Sequence, residues 1–152
     1  MKTRDIDNLR KRIRQKDTEI VRLLSERARL SVDVGRVKGR EGMAVYDPAQ
    51  ESRVLAEVGA LNEGPLPAEA LRLIYGEILS SSRALQAPLT VACLGPEGSF
   101  AHLAALDRFG KGASVAPQVT IGAVFDAVEK GKADLGVAPL ENSVEGPVRV
   151  TL

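Results

Sequence analysis

The sequence has few of the residues on which disulfides, metal sites and histidine-based catalysis depend. It contains one cysteine, Cys93, and a single thiol excludes an internal disulfide. It also contains one histidine, His102, which argues against a Cys/His zinc site and against a histidine-based catalytic triad. We therefore predict no metal and no cofactor. We expect Cys93 to be a buried strand residue and His102 to be a helix-surface or packing residue.

Long apolar runs are missing as well. No stretch approaches the length needed to span a bilayer, and residues 1–5 show no apolar core of the signal-peptide type. We expect a soluble, cytoplasmic protein that does not bind a membrane. At 152 residues the chain has room for one ordinary domain, or for a small domain and part of another.

Charge is distributed unevenly along the chain. The formal net charge is +1, but residues 1–40 carry 13 Lys/Arg against 6 Asp/Glu, a local charge of +7 that leaves −6 for the remainder. This asymmetry indicates an anionic partner at the N-terminal segment.

The N-terminal segment favours one long helix. Residues 4–38 lack proline and contain a single glycine, Gly35, so the pattern predicts a helix of about 50 Å, followed by a loop from Gly39 to Tyr46. A helix of this length needs a partner of comparable length, and a second copy of the chain is the simplest source. We therefore predict a homodimer.

Two cations interrupt the apolar stripe of this helix. At about 100° per residue, Arg27 and Lys38 lie near the centre of the stripe and not on its solvated flank. A cation that faces a core needs a carboxylate, either from the protein or from a ligand. Three interpretations stay open: the side chains reach past the stripe to solvent, they form structural ion pairs, or they bind an anionic ligand. The stripe, which we predict to be buried, consists of Ile6, Leu9, Ile13, Ile20, Leu24 and Val34.

Two shorter helices are predicted next. Asp47 is placed to cap the first of them, with Pro48 at the first helical position and Gln50 closing a capping pattern. This helix runs to about Leu61, and the following one spans about Pro67 to Gln86.

Polar residues on the inner faces of the three helices predict one pocket. Glu51 lies on the apolar face of the second helix, Ser82 lies in the middle of the third helix's stripe, and Gln86 follows one turn later. Arg27 and Lys38 are three turns apart, so their side chains point the same way from positions about 16 Å apart. Such a set suits a small dianion that carries a hydroxyl group.

Arg10 has a different place in this pocket. It lies about 25 Å along the helix from Arg27, so it reaches the site only from the partner chain of an antiparallel pair. Structural interpretations stay open for two other residues. Asp47 is a helix cap whether or not it binds anything, and Ser82 is also the kind of small residue found at helix contacts.

After Ala87-Pro88 the pattern changes to alternating strands and helices. The elements are strands at 91–94, around Val115 and at 135–138, with helices from Ser99 to Phe109 and from 121 to 129. We therefore expect an all-α domain at 1–88 and a partial α/β module with parallel strands at 89–152. Three strands and two helices are too few to cover both faces of such a sheet, so the module is predicted to be incomplete. Asn142 and Ser143 are expected to line its unfinished cleft.

Short motifs along both parts carry a family resemblance. Those of the helical part are Leu9-Arg10 with Ile13, Leu23-Leu24-Ser25-Glu26-Arg27, Val34-Gly35-Arg36-Val37-Lys38, Tyr46-Asp47-Pro48, and Ser82 with Gln86. Those of the second part are Val91-Ala92-Cys93-Leu94-Gly95-Pro96-Glu97-Gly98-Ser99-Phe100 and Pro139-Leu140-Glu141-Asn142-Ser143-Val144-Glu145-Gly146. Residues 4–88 resemble the all-helical, AroQ-type chorismate mutases, and the second part is similar to the beginning of prephenate dehydratase. The order matches the bifunctional enzyme of phenylalanine biosynthesis.

The resemblance implies a chorismate mutase of aromatic amino acid biosynthesis, acting as a homodimer. Its reaction, chorismate to prephenate, is pericyclic and moves no proton, so the protein must fold the substrate into a compact conformer and oppose charge on the ether oxygen. By resemblance the catalytic residues are Lys38 and Gln86, which donate hydrogen bonds to that oxygen, and Arg27, which grips a carboxylate.

The remaining substrate-binding residues are also implied by the resemblance. Arg10 of the partner chain grips the second carboxylate, and Ser82 supports a carboxylate. Glu51 and the region of Asp47 take the ring hydroxyl.

Two departures from the family pattern have consequences. Gln50 stands where the family often has an arginine, so electrostatic stabilisation is expected to be lower unless another cation, such as Arg53, supplies it. The dehydratase-like region stops before that family's Thr-Arg-Phe catalytic motif, and neither that triplet nor the phenylalanine-sensing ACT domain occurs in the sequence. We therefore predict mutase activity without dehydratase activity.

Two other classes of function stay open. One is a non-catalytic module that only binds chorismate or holds an assembly together. The other is a basic helical arm that binds nucleic acid, built on Arg10, Lys11, Arg12, Arg14 and Lys16. Against this arm, acidic residues dilute the cluster and no aromatic residue is interleaved with it, so we predict no nucleic-acid partner.

Overall fold

A computed structural model describes residues 2–142, 146–148 and 151. Three helices form the helical segment: α1 (Lys2–Glu41), α2 (Pro48–Ala60) and α3 (Ala68–Gln86). The α/β segment follows with β1 (Leu89–Leu94), α4 (Phe100–Phe109), β2 (Ala113–Gln118), α5 (Ile121–Glu129), β3 (Leu135–Val137), β4 (Glu141–Asn142) and β5 (Gly146–Pro147). The predicted fold class, an all-α part followed by a partial α/β part, is confirmed.

The end of α1 lies beyond its predicted position. The helix continues through Gly39 to Glu41, so the expectation of a loop starting at Gly39 was wrong. It ends at Gly42, whose positive φ of 66° places it in the left-handed region. The Met43 amide then donates to the Lys38 carbonyl at 2.9 Å, closing the turn. The stop signal is therefore Gly42.

The start of α2 follows the predicted capping pattern. The Asp47 side chain accepts a hydrogen bond from the Gln50 amide at 2.9 Å, and Pro48 occupies the first helical position. Proline is favoured there because its missing N–H has no helical partner in any case. This cap fixes the start of α2, which packs against α3.

The apolar stripe of α1 is only partly covered within one chain. The helix has 40 residues and α3 has 19, so most of the N-terminal half of α1 extends past its neighbour. Residues of the stripe remain exposed to solvent: Ile13 is 59% exposed and Ile20 is 53% exposed. The predicted burial of this stripe is thus not achieved by the chain's own residues.

The α/β segment is built around a three-stranded parallel sheet in the order β2-β1-β3. Alternate residues of β1 face opposite sides: Val91 and Cys93 pack with Phe109 of α4, and Ala92 packs with Val124 of α5. Cys93 is fully buried in a strand, as predicted. Asn142 lies in β4, whereas Ser143 lies outside the described residues.

A polar junction joins the two segments. The Ser80 hydroxyl on α3 donates to the Phe109 carbonyl at 2.8 Å and accepts from the Gly112 amide at 3.0 Å. Gly110, with φ of 70°, ends α4 at this point, and a Cβ there would lie 2.5 Å from the Ser80 hydroxyl oxygen. Close approach of α3 to the loop between α4 and β2 therefore requires glycine.

None of the helices in the described part of the chain is long and apolar enough to cross a membrane.

Candidate active site

A cavity of about 380 Å³ lies where α1, α2 and α3 meet. Its volume is in the range of small-molecule sites. Every predicted site residue except Arg10 lines it: Arg27, Lys38, Asp47, Glu51, Ser82 and Gln86. Other wall residues are Ser31, Val34, Val45, Gln50, Val54, Leu79 and Arg83. The structure thus brings together side chains from three helices and the connection between α1 and α2.

The two cations of α1 each donate a hydrogen bond to a neutral group. Arg27 Nη1 donates to the Ser82 hydroxyl at 2.6 Å, and Lys38 Nζ donates to the Val45 carbonyl at 3.0 Å. Within the part of the chain that the structure describes, neither cation has a carboxylate within ion-pair distance. Among the described residues, these two cations therefore form no structural ion pair. Both charges stay available to an anion in the cavity.

Gln86 approaches α1 at Gly35. A Cβ at Gly35 would lie 2.8 Å from both Cβ and Cγ of Gln86, so any larger residue would push α3 away. The Gln86 amide oxygen is buried and accepts no hydrogen bond from the described residues. A buried amide oxygen without a partner is unfavourable, and a hydrogen-bond donor on a bound ligand would remove that cost.

Glu51 has a protein partner that the sequence interpretation missed. Its carboxylate accepts a hydrogen bond from Arg83 Nη1, and the two side chains are 18% and 5% exposed. The second guanidinium nitrogen, Nη2, donates to the Phe109 carbonyl at the end of α4. The Tyr46 ring completes the surroundings, with the guanidinium carbon 5.1 Å from the ring centroid. Arg83 is therefore anchored on three sides.

A signal for Arg83 was present in the sequence. Glu51 on an apolar face needs a cation as much as Arg27 needs an anion. Arg83 follows Ser82 directly on the helix that faces Glu51, but helical periodicity places it beside the main stripe of α3. The side of α3 that carries Arg83 is buried only because α4 packs against it.

Arg53 does not supply the cation that Gln50 lacks. Gln50 lines the cavity, whereas Arg53 is exposed and lies outside the cavity wall. The additional cation in the wall is Arg83. Asp47 lines the cavity as well, with its Oδ1 atom already accepting from the Gln50 amide.

Arg10 lies outside this cavity. Its side chain is 67% exposed and its guanidinium is 3.7 Å from the Asp7 carboxylate one turn away. Its approach to a site in a partner chain stays a prediction.

A second, more open groove of about 630 Å³ runs between α1 and α3 beside Arg27 and Ser82. We call it the α1–α3 groove. Its apolar wall consists of Val21, Leu24, Ala28, Ile74, Ile78 and Leu85. Leu24, Ile74 and Leu85 are 39%, 48% and 54% exposed, so this wall is uncovered in the single chain.

The cavity offers charge and hydrogen bonds but no metal site. In the described ranges, no group of three His, Cys, Asp or Glu side chains is arranged to hold a metal ion. The cavity contains two cations with no carboxylate partner in the described ranges, together with a hydroxyl, an amide and an arginine-paired carboxylate. Such a set can bind a small dianion and orient it.

Two family profiles match the chain in the order of its two segments. Residues 9–87 match chorismate mutase type II, and residues 91–152 match prephenate dehydratase. A bifunctional chorismate mutase/prephenate dehydratase of Aquifex aeolicus is 41% identical over 152 residues, covering 97% of this chain and 42% of that protein. One of Pseudomonas aeruginosa is 44% identical over 149 residues, covering 95% and 41%. The chain thus spans about two fifths of the length of these relatives.

Solved structures give the same likeness. Form II of chorismate mutase from Thermus thermophilus aligns with a TM-score of 0.52 at 42% identity, over 53% of this chain and 92% of that one. Form I from the same organism aligns with a TM-score of 0.50 at 43% identity, over 51% and 96%.

Proposed function

Since this chain belongs to the chorismate mutase type II family, we propose that it converts chorismate to prephenate in aromatic amino acid biosynthesis. The observation that carries the proposal is the pair of cations, Arg27 and Lys38, which have no carboxylate partner among the described residues and share one cavity with the Gln86 amide. A substrate with two carboxylates and an ether oxygen supplies acceptors for the two cations and for the amide nitrogen of Gln86.

The roles of the residues follow from the chemistry of the rearrangement. Arg27, whose guanidinium is held by Ser82, binds a substrate carboxylate and selects the compact conformer. Lys38 opposes the negative charge that grows on the ether oxygen as its bond to the ring breaks. Gln86, with its amide turned so that the nitrogen faces the substrate, donates to the same oxygen. Glu51 accepts a hydrogen bond from the ring hydroxyl.

A second copy of the chain completes the site in this proposal. The exposed stripe of α1 and the α1–α3 groove are two apolar surfaces that a long helix from a partner would cover. In an antiparallel arrangement the partner's α1 brings its own Arg10 towards the cavity beside Arg27, adding a cation for the second carboxylate. The homodimer and the two domains, 1–88 and 89–152, are parts of the proposal.

Loss of chorismate absorbance on adding purified protein tests the function. We expect Arg27→Ala and Lys38→Ala to abolish most turnover. Arg29→Ala, which removes an exposed guanidinium two residues further along α1, should leave turnover unchanged. Unchanged turnover in both Arg27→Ala and Lys38→Ala would contradict the site assignment.

The same preparation separates the other functions. Chorismate binding by calorimetry without turnover would favour a non-catalytic module, and salt-dependent binding of a DNA duplex without turnover would favour a basic arm. Formation of phenylpyruvate from prephenate would contradict the predicted lack of dehydratase activity in these 152 residues. The cytoplasmic location stays a prediction.

A further inference from the structure

Among the described residues that line the cavity, Arg83 is the one charged residue classed as buried, and the family resemblance gave it no role. We propose that Arg83 is a positioning residue that orients the Glu51 carboxylate for the substrate, and that the α/β segment takes part by holding Arg83 through the Phe109 carbonyl. This inference rests on the proposed function, in which Glu51 accepts the hydrogen bond of the ring hydroxyl.

The pairing leaves Glu51 one oxygen for a ligand. Arg83 occupies Oε1, and no donor from the described residues reaches Oε2. The Glu51 side chain is 18% exposed, and a guanidinium bonded to one of its oxygens restricts rotation of the carboxylate. Arg83 thus fixes the direction of the group that meets the hydroxyl.

The two ends of the guanidinium fork connect two segments of the chain. Nη1 reaches Glu51 on α2, and Nη2 reaches the Phe109 carbonyl, which also accepts from Ser80. A lysine has a single terminal nitrogen and cannot hold both acceptors in the same plane. The orientation of Glu51 therefore depends on where the end of α4 lies.

Arg83 acts through Glu51 and not on the substrate. Both terminal nitrogens are engaged, and the side chain is 5% exposed, behind the carboxylate. Glu51 and Arg83 also line a second cavity of about 190 Å³, together with the end of α4. The pair therefore contributes to the walls of both cavities.

A double-mutant cycle tests the positioning role. We expect Glu51→Gln and Arg83→Met each to lower kcat/KM on the order of 10- to 100-fold, mainly through KM because the hydroxyl is not a reacting group. The double variant should lose no more than either single one, since Arg83 works through Glu51. Losses that multiply, or an Arg83→Met enzyme with wild-type kinetics, would overturn the proposal. Absence of turnover in the wild-type chain would instead overturn the proposed function.

Two further variants keep this test independent of folding. Arg83→Lys retains the charge and one donor, so it should fold and show kcat/KM between wild type and Arg83→Met. If Arg83→Met does not fold, Arg83→Lys takes its place in the cycle with the same criterion. Arg72→Met makes the matched change on α3, where the guanidinium pairs with Glu69 at the surface, and its KM should equal that of wild type.

Paired glycine variants test the contribution of the α/β segment. In Gly112→Ala the new Cβ would lie 2.6 Å from the Ser80 carbonyl oxygen and push the loop after α4 away from α3. In Gly136→Ala the Cβ would meet the Val124 side chain at 3.0 Å, inside the α/β segment and away from the junction. We expect a several-fold higher KM for chorismate in Gly112→Ala and an unchanged KM in Gly136→Ala, measured well below both melting temperatures. Equal KM values in the two variants would overturn the role of the α/β segment.

Discussion

At the scale of single residues, Lys38 gives the sharpest expectation. Its ammonium group is held by the Val45 carbonyl and has no carboxylate to neutralise it among the described residues. We expect Lys38→Met to lower kcat by a factor on the order of 100 to 1,000, because one donor to a developing negative charge is lost. KM should change little by comparison.

Steady-state kinetics against a matched lysine variant measures this effect. Lys130→Met removes an exposed ammonium group that pairs only with Asp126 on α5. Its kcat should equal that of wild type, since exposed pairs of this kind contribute little to stability. A Lys38→Met enzyme with wild-type kcat would show that charge on the ether oxygen is stabilised elsewhere.

The single thiol gives a second expectation at this scale. Cys93 of β1 is fully buried against α4, and burial raises the pKa of its thiol. Because the thiolate is the reactive form, we expect no reaction with a chromogenic disulfide reagent at neutral pH in the native protein. Stoichiometric reaction should appear once guanidinium chloride unfolds the chain. Rapid modification of the folded protein would contradict the burial described for β1.

Prediction from sequence was most successful for residues whose chemistry conflicts with their position. Arg27, Lys38, Glu51 and Ser82 were identified because a polar group on an apolar face needs a partner, and all of them line one cavity. Arg83 was missed because its burial is created by α4, which lies outside the helical pattern that periodicity describes. Local spacing predicted which polar residues line the cavity, whereas it carried no information on contacts between segments.

At the scale of secondary-structure elements, Gly35 links the stability of α1 to the geometry of the site. An alanine in a helix interior is favoured over glycine by about 0.5–1 kcal/mol. At position 35, however, the added Cβ would meet Gln86 at 2.8 Å and move α3 away from α1. We expect Gly35→Ala to lower kcat on the order of 100-fold, as displacements of about 1 Å do in catalytic sites.

Gly39→Ala is the control for this expectation. It lies in the same helix, and a Cβ there would meet nothing within 4 Å. Thermal unfolding should show a gain of about 0.5–1 kcal/mol for Gly39→Ala, with unchanged turnover. Equal activity of the two variants would show that Gln86 tolerates displacement.

Element boundaries were predictable where a cap has a sequence signal. Asp47-Pro48 marked the start of α2 correctly, because a side-chain acceptor and a proline both suit that position. Of two glycines near the end of α1, the sequence does not tell which adopts positive φ. In the structure it is Gly42 that adopts positive φ, and the hydrogen bond from the Met43 amide to the Lys38 carbonyl closes the turn around it.

At the scale of the whole molecule, dimerisation is expected to follow from the open stripe of α1. Ile13 lies in the stripe, and Gln15 lies about 160° away around the helix. We expect Ile13→Asp to give a monomer with greatly reduced activity, because a charge cannot be buried in an apolar interface without a partner. Gln15→Asp adds the same charge on the other face and should remain dimeric in sedimentation measurements. A monomeric wild-type chain with full activity would contradict the shared site.

Mixing two inactive chains tests whether sites are shared. Arg10→Ala removes the cation proposed to cross to the partner, and Arg27→Ala removes the one that stays in its own chain. In a hybrid dimer one of the two sites has neither substitution, so turnover should reappear after mixing and subunit exchange. Failure to regain any turnover, with hybrids present by native mass spectrometry, would place Arg10 and Arg27 in the same site of one chain.

The Phe109 carbonyl has a consequence for how this protein can be divided into fragments. The two family matches end at residue 87 and begin at residue 91, which suggests a cut between them. Yet the carbonyl at the end of α4 takes its donors, Ser80 and Arg83, from the other side of that cut. A fragment beginning at residue 89 would lose both donors, and one ending at residue 88 would leave Arg83 with Glu51 and the Tyr46 ring but without its carbonyl acceptor. The boundary between the two family matches is therefore not a boundary between independent structural units, because the hydrogen bonds from Ser80 and Arg83 to the end of α4 cross it.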